Sequence, residues 1–225
     1  MKLAALVQSS WLWDFFFPPV CGLCEHPLAK GDLLFCGRCW DNCEVARASD
    51  LPSFKSVDRC AAAFLMHHHP EDPVRTIVHS LKYDGRRVLA GSISQRWARC
   101  FPRDFLHADA VWIPVPQYWA RRLQRGFNQS LLLAKGLQRE LGIAVETRLL
   151  YRIKHTRSQT HLTPAQRRAN VRDAFRVSKK HPVPQSVVLI DDVITTGATM
   201  EECARTLKES GAKWVGAVAF AKAKP

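Results

Sequence analysis

Two adjacent carboxylates, Asp191 and Asp192, follow the apolar run Val187-Val188-Leu189-Ile190 and precede Thr195-Thr196-Gly197-Ala198-Thr199. Carboxylates side by side accept hydrogen bonds from vicinal hydroxyls. Four consecutive apolar residues read as a strand buried on both faces, as in a parallel sheet. The small-residue turn then opens a helix at about Thr199. Ligands of open α/β sheets bind outside the carboxyl ends of the strands. A helix N-terminus there offers unsatisfied N–H groups and a positive dipole end to an anion. One short segment can thus hold a phosphate at one end and a ribose diol at the other. An ordinary strand–turn–helix with a polar cap does not require the acidic pair and the cradle together. A nucleoside-triphosphatase strand ending in Asp-Asp would need a G-x-x-x-x-G-K-[ST] loop, which the sequence lacks.

That arrangement resembles the 5-phosphoribosyl-1-pyrophosphate (PRPP) site of the type I phosphoribosyltransferases. The resemblance is unbroken over residues 187–199. It implies that Asp191 and Asp192 face the ribose hydroxyls. It also implies that Thr195, Thr196, Gly197, Ala198 and Thr199 hold the 5′-phosphate.

A second chemical signal is Cys21-x2-Cys24-x11-Cys36-x2-Cys39. Two C-x-x-C knuckles across a short loop can close a tetrahedral thiolate site, and four sulfurs suit a structural Zn²⁺ with no open position. The gap is shorter than the roughly 15–20 residues of a usual ribbon, so the loop must be tight. Two disulfides or free thiols are the alternatives, and a cytoplasmic location argues against disulfides. Cys43 could replace Cys39, and His26 is a weaker substitute. Cys60, Cys100 and Cys203 stand in apolar contexts and read as buried small hydrophobes. The run His67-His68-His69 could take an adventitious metal, but it reads as a loop, since no spaced partner ligands are evident.

The chain has 225 residues, enough for one full domain and a small module. We expect a zinc-binding module with an aromatic N-terminal segment over 1–50 and an α/β domain over 51–225. Residues 1–20 are apolar but carry no A-x-A-like cleavage site, and no apolar run reaches the roughly 18 residues of a membrane span. A cytoplasmic protein is expected. The formal net charge is +13, and it is uneven. Residues 1–50 sum to −2, whereas 121–180 carry fifteen basic and three acidic residues. That excess points to an anionic partner, a phosphorylated small molecule or nucleic acid, although a solvated basic face would show the same charge.

Strand and helix patterns alternate along 51–225, as a parallel sheet requires. Strands are expected over 60–66, 110–115, 145–153, 175–177, 187–190 and 214–220. Helices are expected over 73–83, from there to about Arg99, up to Leu141, and from 199 to about 210. The stretch 155–169 is polar, basic and poor in large apolar residues.

Two further segments are Pro114-Val115-Pro116 with Arg125-Gly126-Phe127-Asn128-Gln129, and Arg157-x-Gln159-x-x-Leu162 with Arg167-x-x-Asn170 and Ala174-Phe175. Lys82-Tyr83-Asp84-Gly85 is another. Taken in order with the acidic cradle and the cysteine knuckles, they resemble the competence-protein-F (ComF) family of bacterial proteins, over about 17–220. The resemblance implies a type I phosphoribosyltransferase-like parallel sheet flanked by helices, plus a small N-terminal four-cysteine zinc module. It implies a role in natural transformation, with PRPP or a related phosphorylated sugar, and incoming single-stranded DNA, as partners. DNA-uptake or recombination proteins are further candidate partners.

If phosphoribosyl transfer occurs, magnesium accompanies PRPP, and Arg125 and Arg157 are the catalytic candidates. Arg121, Arg122, Asn128 and Gln159 are candidates for contact with DNA or pyrophosphate. Residues 155–170 are expected to form a lid. Phe127, Tyr118 and Trp119 are candidates to stack on bases. The alternative function is a phosphoribosyltransferase with an unidentified small-molecule acceptor, and whether turnover occurs is left open.

Overall fold

In a computed structural model, the described residues are 19–29, 31–32, 34–83, 89–106, 109–120, 126–154 and 163–224. The chain divides into two compact units, Met1–Cys43 and Glu44–Pro225.

In the first unit, the described chain turns tightly on itself. Cys21 N–H donates to His26 O at 2.8 Å, and Glu25 N–H donates back to Cys21 O at 2.9 Å. Glu25 takes a left-handed φ of 58° to close this turn. Gly22 N–H reaches Leu34 O at 2.8 Å and brings the two C-x-x-C segments together. Cys36 precedes a short helix α1, Gly37–Asp41. Phe35 and Trp40 meet edge to face, ring centroids 6.1 Å apart.

In the second unit, the strands are β1 (Arg59–Met66), β2 (Val111–Pro114), β3 (Ala144–Val145), β4 (Leu150–Arg152), β5 (Phe175–Val177), β6 (Ser186–Ile194) and β7 (Trp214–Ala223). The helices of eight or more residues are α2 (Pro73–Tyr83), α3 (Leu89–Arg99), α4 (Gln129–Leu141), α5 (Pro164–Val171) and α6 (Ala198–Glu209). The main sheet runs β1-β7-β6-β2-β3, parallel throughout, while β4 and β5 form a separate antiparallel pair. The fold is therefore the expected α/β architecture, a parallel sheet flanked by helices.

Burial follows the alternation of each strand. Val187, Leu189, Val215, Ala217 and Ala219 pack against Met200, Cys203, Ala204 and Leu207 of α6. The small alanines of β7 leave room for that helix. The opposite face is aromatic: Phe101 lies 5.2 Å from Trp112, and Trp97 lies 6.0 Å from Phe220, between ring centroids. Helices α3 and α4 cover this face and cross closely. A Cβ on Gly136 of α4 would sit 2.4 Å from Ser94 Cβ of α3.

The helix after β2 and the helix after β6 thus lie on opposite faces. The carboxyl ends of these neighbouring strands form a topological switch point, the usual place for a ligand crevice in such sheets.

Three expectations shift. The strand expected over 145–153 is broken, because Glu146 Oε1 accepts the Arg148 N–H at 2.6 Å and bends the chain between β3 and β4. The strand expected over 187–190 continues to Ile194, so the acidic pair lies within it, paired in register with β7. Part of the expected lid, 155–162, lies outside the described residues; the rest forms α5, opened by a Thr163–Gln166 capping box. The β4–β5 pair is tied to α6. Glu202 Oε1 accepts Asp173 N–H at 2.6 Å, and Arg205 reaches Asp173 Oδ1 at 2.9 Å.

Candidate functional site

Asp191 and Asp192 lie near the end of β6, held by different elements. Ser130 Oγ, in the first turn of α4, donates to Asp191 Oδ1 at 2.7 Å. The same oxygen accepts Asp192 N–H at 2.9 Å. Lys82 Nζ, in the last turn of α2, pairs with Asp192 Oδ2 at 2.8 Å. Burial, together with the neighbouring Asp192 charge, pushes the Asp191 carboxyl up to about 7, against the pull of Ser130, the Asp192 N–H and Lys82. Two carboxylates in a low-dielectric site resist carrying both charges.

The turn after β6 is shaped by Gly197, at φ 78°. A Cβ there would stand 2.6 Å from the Phe54 ring and 2.9 Å from Pro52. Residues 52–56 are locked over this turn by Glu201 of α6. Its carboxylate accepts the N–H of Lys55 at 3.0 Å, the N–H of Ser56 at 2.9 Å and the Ser56 hydroxyl at 2.8 Å. The one acidic side chain in the first turn of α6 is thereby occupied, and the positive end of the helix dipole remains for an anion. Gly197→Ala is expected to lower stability by about 2–4 kcal/mol in thermal denaturation, combining a left-handed φ with a steric clash. An unchanged melting temperature would contradict this packing.

Buried polar atoms with no partner among the described residues gather at the same edge of the sheet. Thr196 Oγ1 is one, in the turn after β6. Gln117 Oε1 and Gln129 Nε2 are two more, on side chains hydrogen-bonded to each other beyond the end of β2. Buried polar groups are rarely left unpaired, and unpaired ones mark places where a ligand or water belongs. Lys222, 7% exposed, also lies here, paired in register with Ile194.

In the first unit, the Sγ atoms of Cys21, Cys24, Cys36 and Cys39 all lie within 4.8 Å of one another. Cys21–Cys39 is 3.7 Å and Cys24–Cys36 is 3.6 Å between sulfurs. A tetrahedron of Zn–S bonds of about 2.3 Å has edges of about 3.8 Å. The four cysteines can therefore hold a metal such as zinc. Burial opposes the Cys21 thiolate, yet backbone N–H groups of Cys36, Leu23 and Cys24 bring its thiol down to about 6. Burial and the surrounding thiols push Cys39 up instead. One thiol poised to ionise beside three others suits a site completed by a cation. Cys43 Sγ points to Cys39 O at 3.5 Å and lies outside the cluster.

Residues 128–225 match the phosphoribosyl transferase domain family. The "DNA utilization protein YhgH" of Salmonella typhi is 31% identical over 230 residues, covering 88% of this chain and 94% of that protein. The "Competence protein F" of Haemophilus influenzae is 40% identical over 113 residues, covering 49% of each chain. The chain belongs to the ComF family. The "Competence protein ComFC" of Bacillus subtilis is a more distant relative, 26% identical over 140 residues and covering 62% of this chain and 55% of that one.

The other ComF-motif residues divide. Arg121, Arg122, Arg125, Arg157 and Gln159 lie outside the described residues. Asn128 commits both ends of its side chain to the fold. Its Oδ1 accepts Ser130 N–H at 3.1 Å as the N-cap of α4, and its Nδ2 donates to Val115 O at 3.1 Å. Phe127 is buried and unavailable for stacking, whereas Trp119 is 59% exposed, its ring 5.6 Å from Tyr118. Cys203 is buried, but Cys60 is only half-buried and Cys100 is exposed at the end of α3. Among the described residues, no helix is long and apolar enough to cross a membrane.

Sequence reasoning missed the two side chains that hold the acidic pair. Ser130 directly follows the Arg-Gly-Phe-Asn-Gln motif, and Lys82 lies in a motif read only as a helix end. A hydroxyl in the first turn of the helix after β2 was the available signal.

Proposed function

We propose that this chain is a ComF-type protein of DNA uptake whose second unit binds PRPP with magnesium and handles incoming single-stranded DNA. One observation carries the PRPP reading: at the switch point, the acidic pair, the Thr196 hydroxyl, without a partner among the described residues, and the Gly197 turn converge beside the N-terminus of α6. The ribose 2′- and 3′-hydroxyls donate to Asp191 and Asp192. The 5′-phosphate takes the Thr196 hydroxyl and the N–H groups of residues 195–199. Among the described residues, no group of three carboxylate, imidazole or thiolate ligands lies at this end of β6. That suits magnesium carried chiefly by the oxygens of PRPP, an ion that keeps several waters and few protein ligands.

The protein's residues bind and orient the sugar phosphate. Ser130 and Lys82 keep each carboxylate aimed before the ligand arrives, so little ordering cost falls on binding. By sequence position, Arg125 with Arg121 or Arg122 would clamp the pyrophosphate, and Arg157 and Gln159 would act from the lid. Magnesium would supply charge neutralisation on the departing pyrophosphate if transfer occurs. The DNA reading draws on the YhgH and competence relatives and on the basic excess of 121–180. Zinc in the first unit is structural.

The two ligand claims separate by salt. PRPP–magnesium should bind saturably at one site, and ribose 5-phosphate should compete. Labelled single-stranded DNA should bind with little sequence preference and lose affinity steeply between about 50 and 200 mM salt. Pyrophosphate release on adding a small acceptor, without DNA, would favour the alternative of a small-molecule phosphoribosyltransferase.

A further inference from the structure

The histidine run 67–69 has partners that the linear sequence conceals. It follows directly on β1 and returns into Asp72, the residue before α2. One ring nitrogen each of His67 and His69, and a carboxylate oxygen of Asp72, lie within 4.8 Å of one another. The two rings are held 5.5 Å apart between centroids. Three donors at such separations can close on one divalent ion and leave an open position for water.

We propose that His67, His69 and Asp72 form a second divalent transition-metal site, separate from the four cysteines and of the kind zinc occupies. Two further observations support it. Glu44 Oε2 lies 2.7 Å from His67 Nε2. Carboxylate on one imidazole nitrogen fixes the ring and leaves the other nitrogen for a metal, an arrangement that recurs around bound zinc. Asp72 is 1% exposed. Among the described residues, its carboxylate accepts only main-chain N–H groups: Arg75 at 2.8 Å, and His67. These N–H groups and the positive end of α2 meet part of the Asp72 charge, and a dication beside it would add a full counter-charge. Two imidazoles and one carboxylate suit zinc, nickel or iron(II) and are poor partners for magnesium or calcium.

The placement gives the site a consequence. It pins the start of α2, and the last turn of that helix carries Lys82 against Asp192. Metal at residues 67–72 therefore fixes the helix that supplies a positioning group to the acidic pair.

Cobalt(II) is the probe, titrated into the metal-stripped, reduced full-length chain. Wild type should take two equivalents: one with intense sulfur-to-metal charge transfer, and one with weaker d–d bands alone. The double variant His67→Gln/His69→Gln should take only the first, while a retained cooperative melt of residues 44–225 reports that the second unit is folded. His68→Gln should take both. Glu44→Gln, which leaves all three ligands in place, should weaken the second equivalent by about 10–100-fold. A wild type that takes only the thiolate equivalent would overturn the proposal. So would a second equivalent that survives in the double variant with unchanged affinity. PRPP binding plays no part in these readouts, so their failure would leave the ligand assignment at β6 standing.

Discussion

Replacing Cys21 and Cys39 together with serine is expected to unfold residues 19–43 and leave 44–225 folded. Among the described residues 19–43, little else holds the fold. Their buried apolar side chains are Cys21, Phe35, Cys39, Trp40 and Cys43, three of them thiols. One aromatic pair cannot offset the backbone entropy of ordering more than twenty residues, at about 1–2 kcal/mol each. Structural zinc supplies apparent binding energies of about 10–16 kcal/mol in small modules, enough to decide the balance. Limited proteolysis should cut the variant within residues 19–43 and spare a fragment beginning near Glu44. Zinc content should fall by one equivalent per chain. Chelation of the wild type should give the same fragment, reversed by zinc under reducing conditions. A variant as resistant to protease as the wild type would mean that the cysteines contribute through packing or disulfides, not through a metal.

Asp191→Asn should stabilise the protein near neutral pH while weakening ligand binding. The sign follows from the raised carboxyl. Asp191 ionises near 4 when the chain is unfolded and at about 7 when folded, so between those values the folded state holds the extra proton. Stability then falls as pH rises across that window and levels off above it. Asparagine accepts from Ser130 and the Asp192 N–H without the charge, which removes the slope. The expected gain is roughly 1–3 kcal/mol at pH 8, shrinking to nothing near pH 4, with the full shift discounted for partial solvent access. Affinity for a diol should run the other way in wild type, rising with pH through about 7 as the carboxylate forms. Melting temperatures of both proteins from pH 4 to pH 8 check the first claim. Parallel curves would show that Asp191 does not carry the proton. A site that loses stability as it gains its working charge shows the trade-off expected where function needs an otherwise unfavourable group.

The parts legible in the sequence were those with strong periodicity or fixed spacing. Buried strands such as 187–190, the helix at 73–83 and the cysteine knuckles each announce themselves through local pattern. The strand boundary at Ile194 was hidden because Asp191 and Asp192 read as the end of an apolar run, although β7 continues to pair beside them. The break at Glu146 depends on a single side-chain-to-backbone bond, which no periodicity predicts. The supports of the site were harder still. Lys82, Ser130 and Asp191–Asp192 come from three separate elements, and only the sheet order brings them together. His67, His69 and Asp72 were close in sequence, but their convergence depends on the turn into α2.

Asparagine at both carboxylates, Asp191→Asn/Asp192→Asn, keeps size and most hydrogen-bonding capacity while removing both charges. Calorimetric titration of PRPP with magnesium into zinc-loaded wild type and this double variant therefore tests the central claim most directly. Saturable one-site binding by wild type, weakened at least a hundredfold in a variant that still melts cooperatively, is the result predicted. No binding by folded wild type, or equal binding by both proteins, would contradict a ribose-phosphate site at the end of β6.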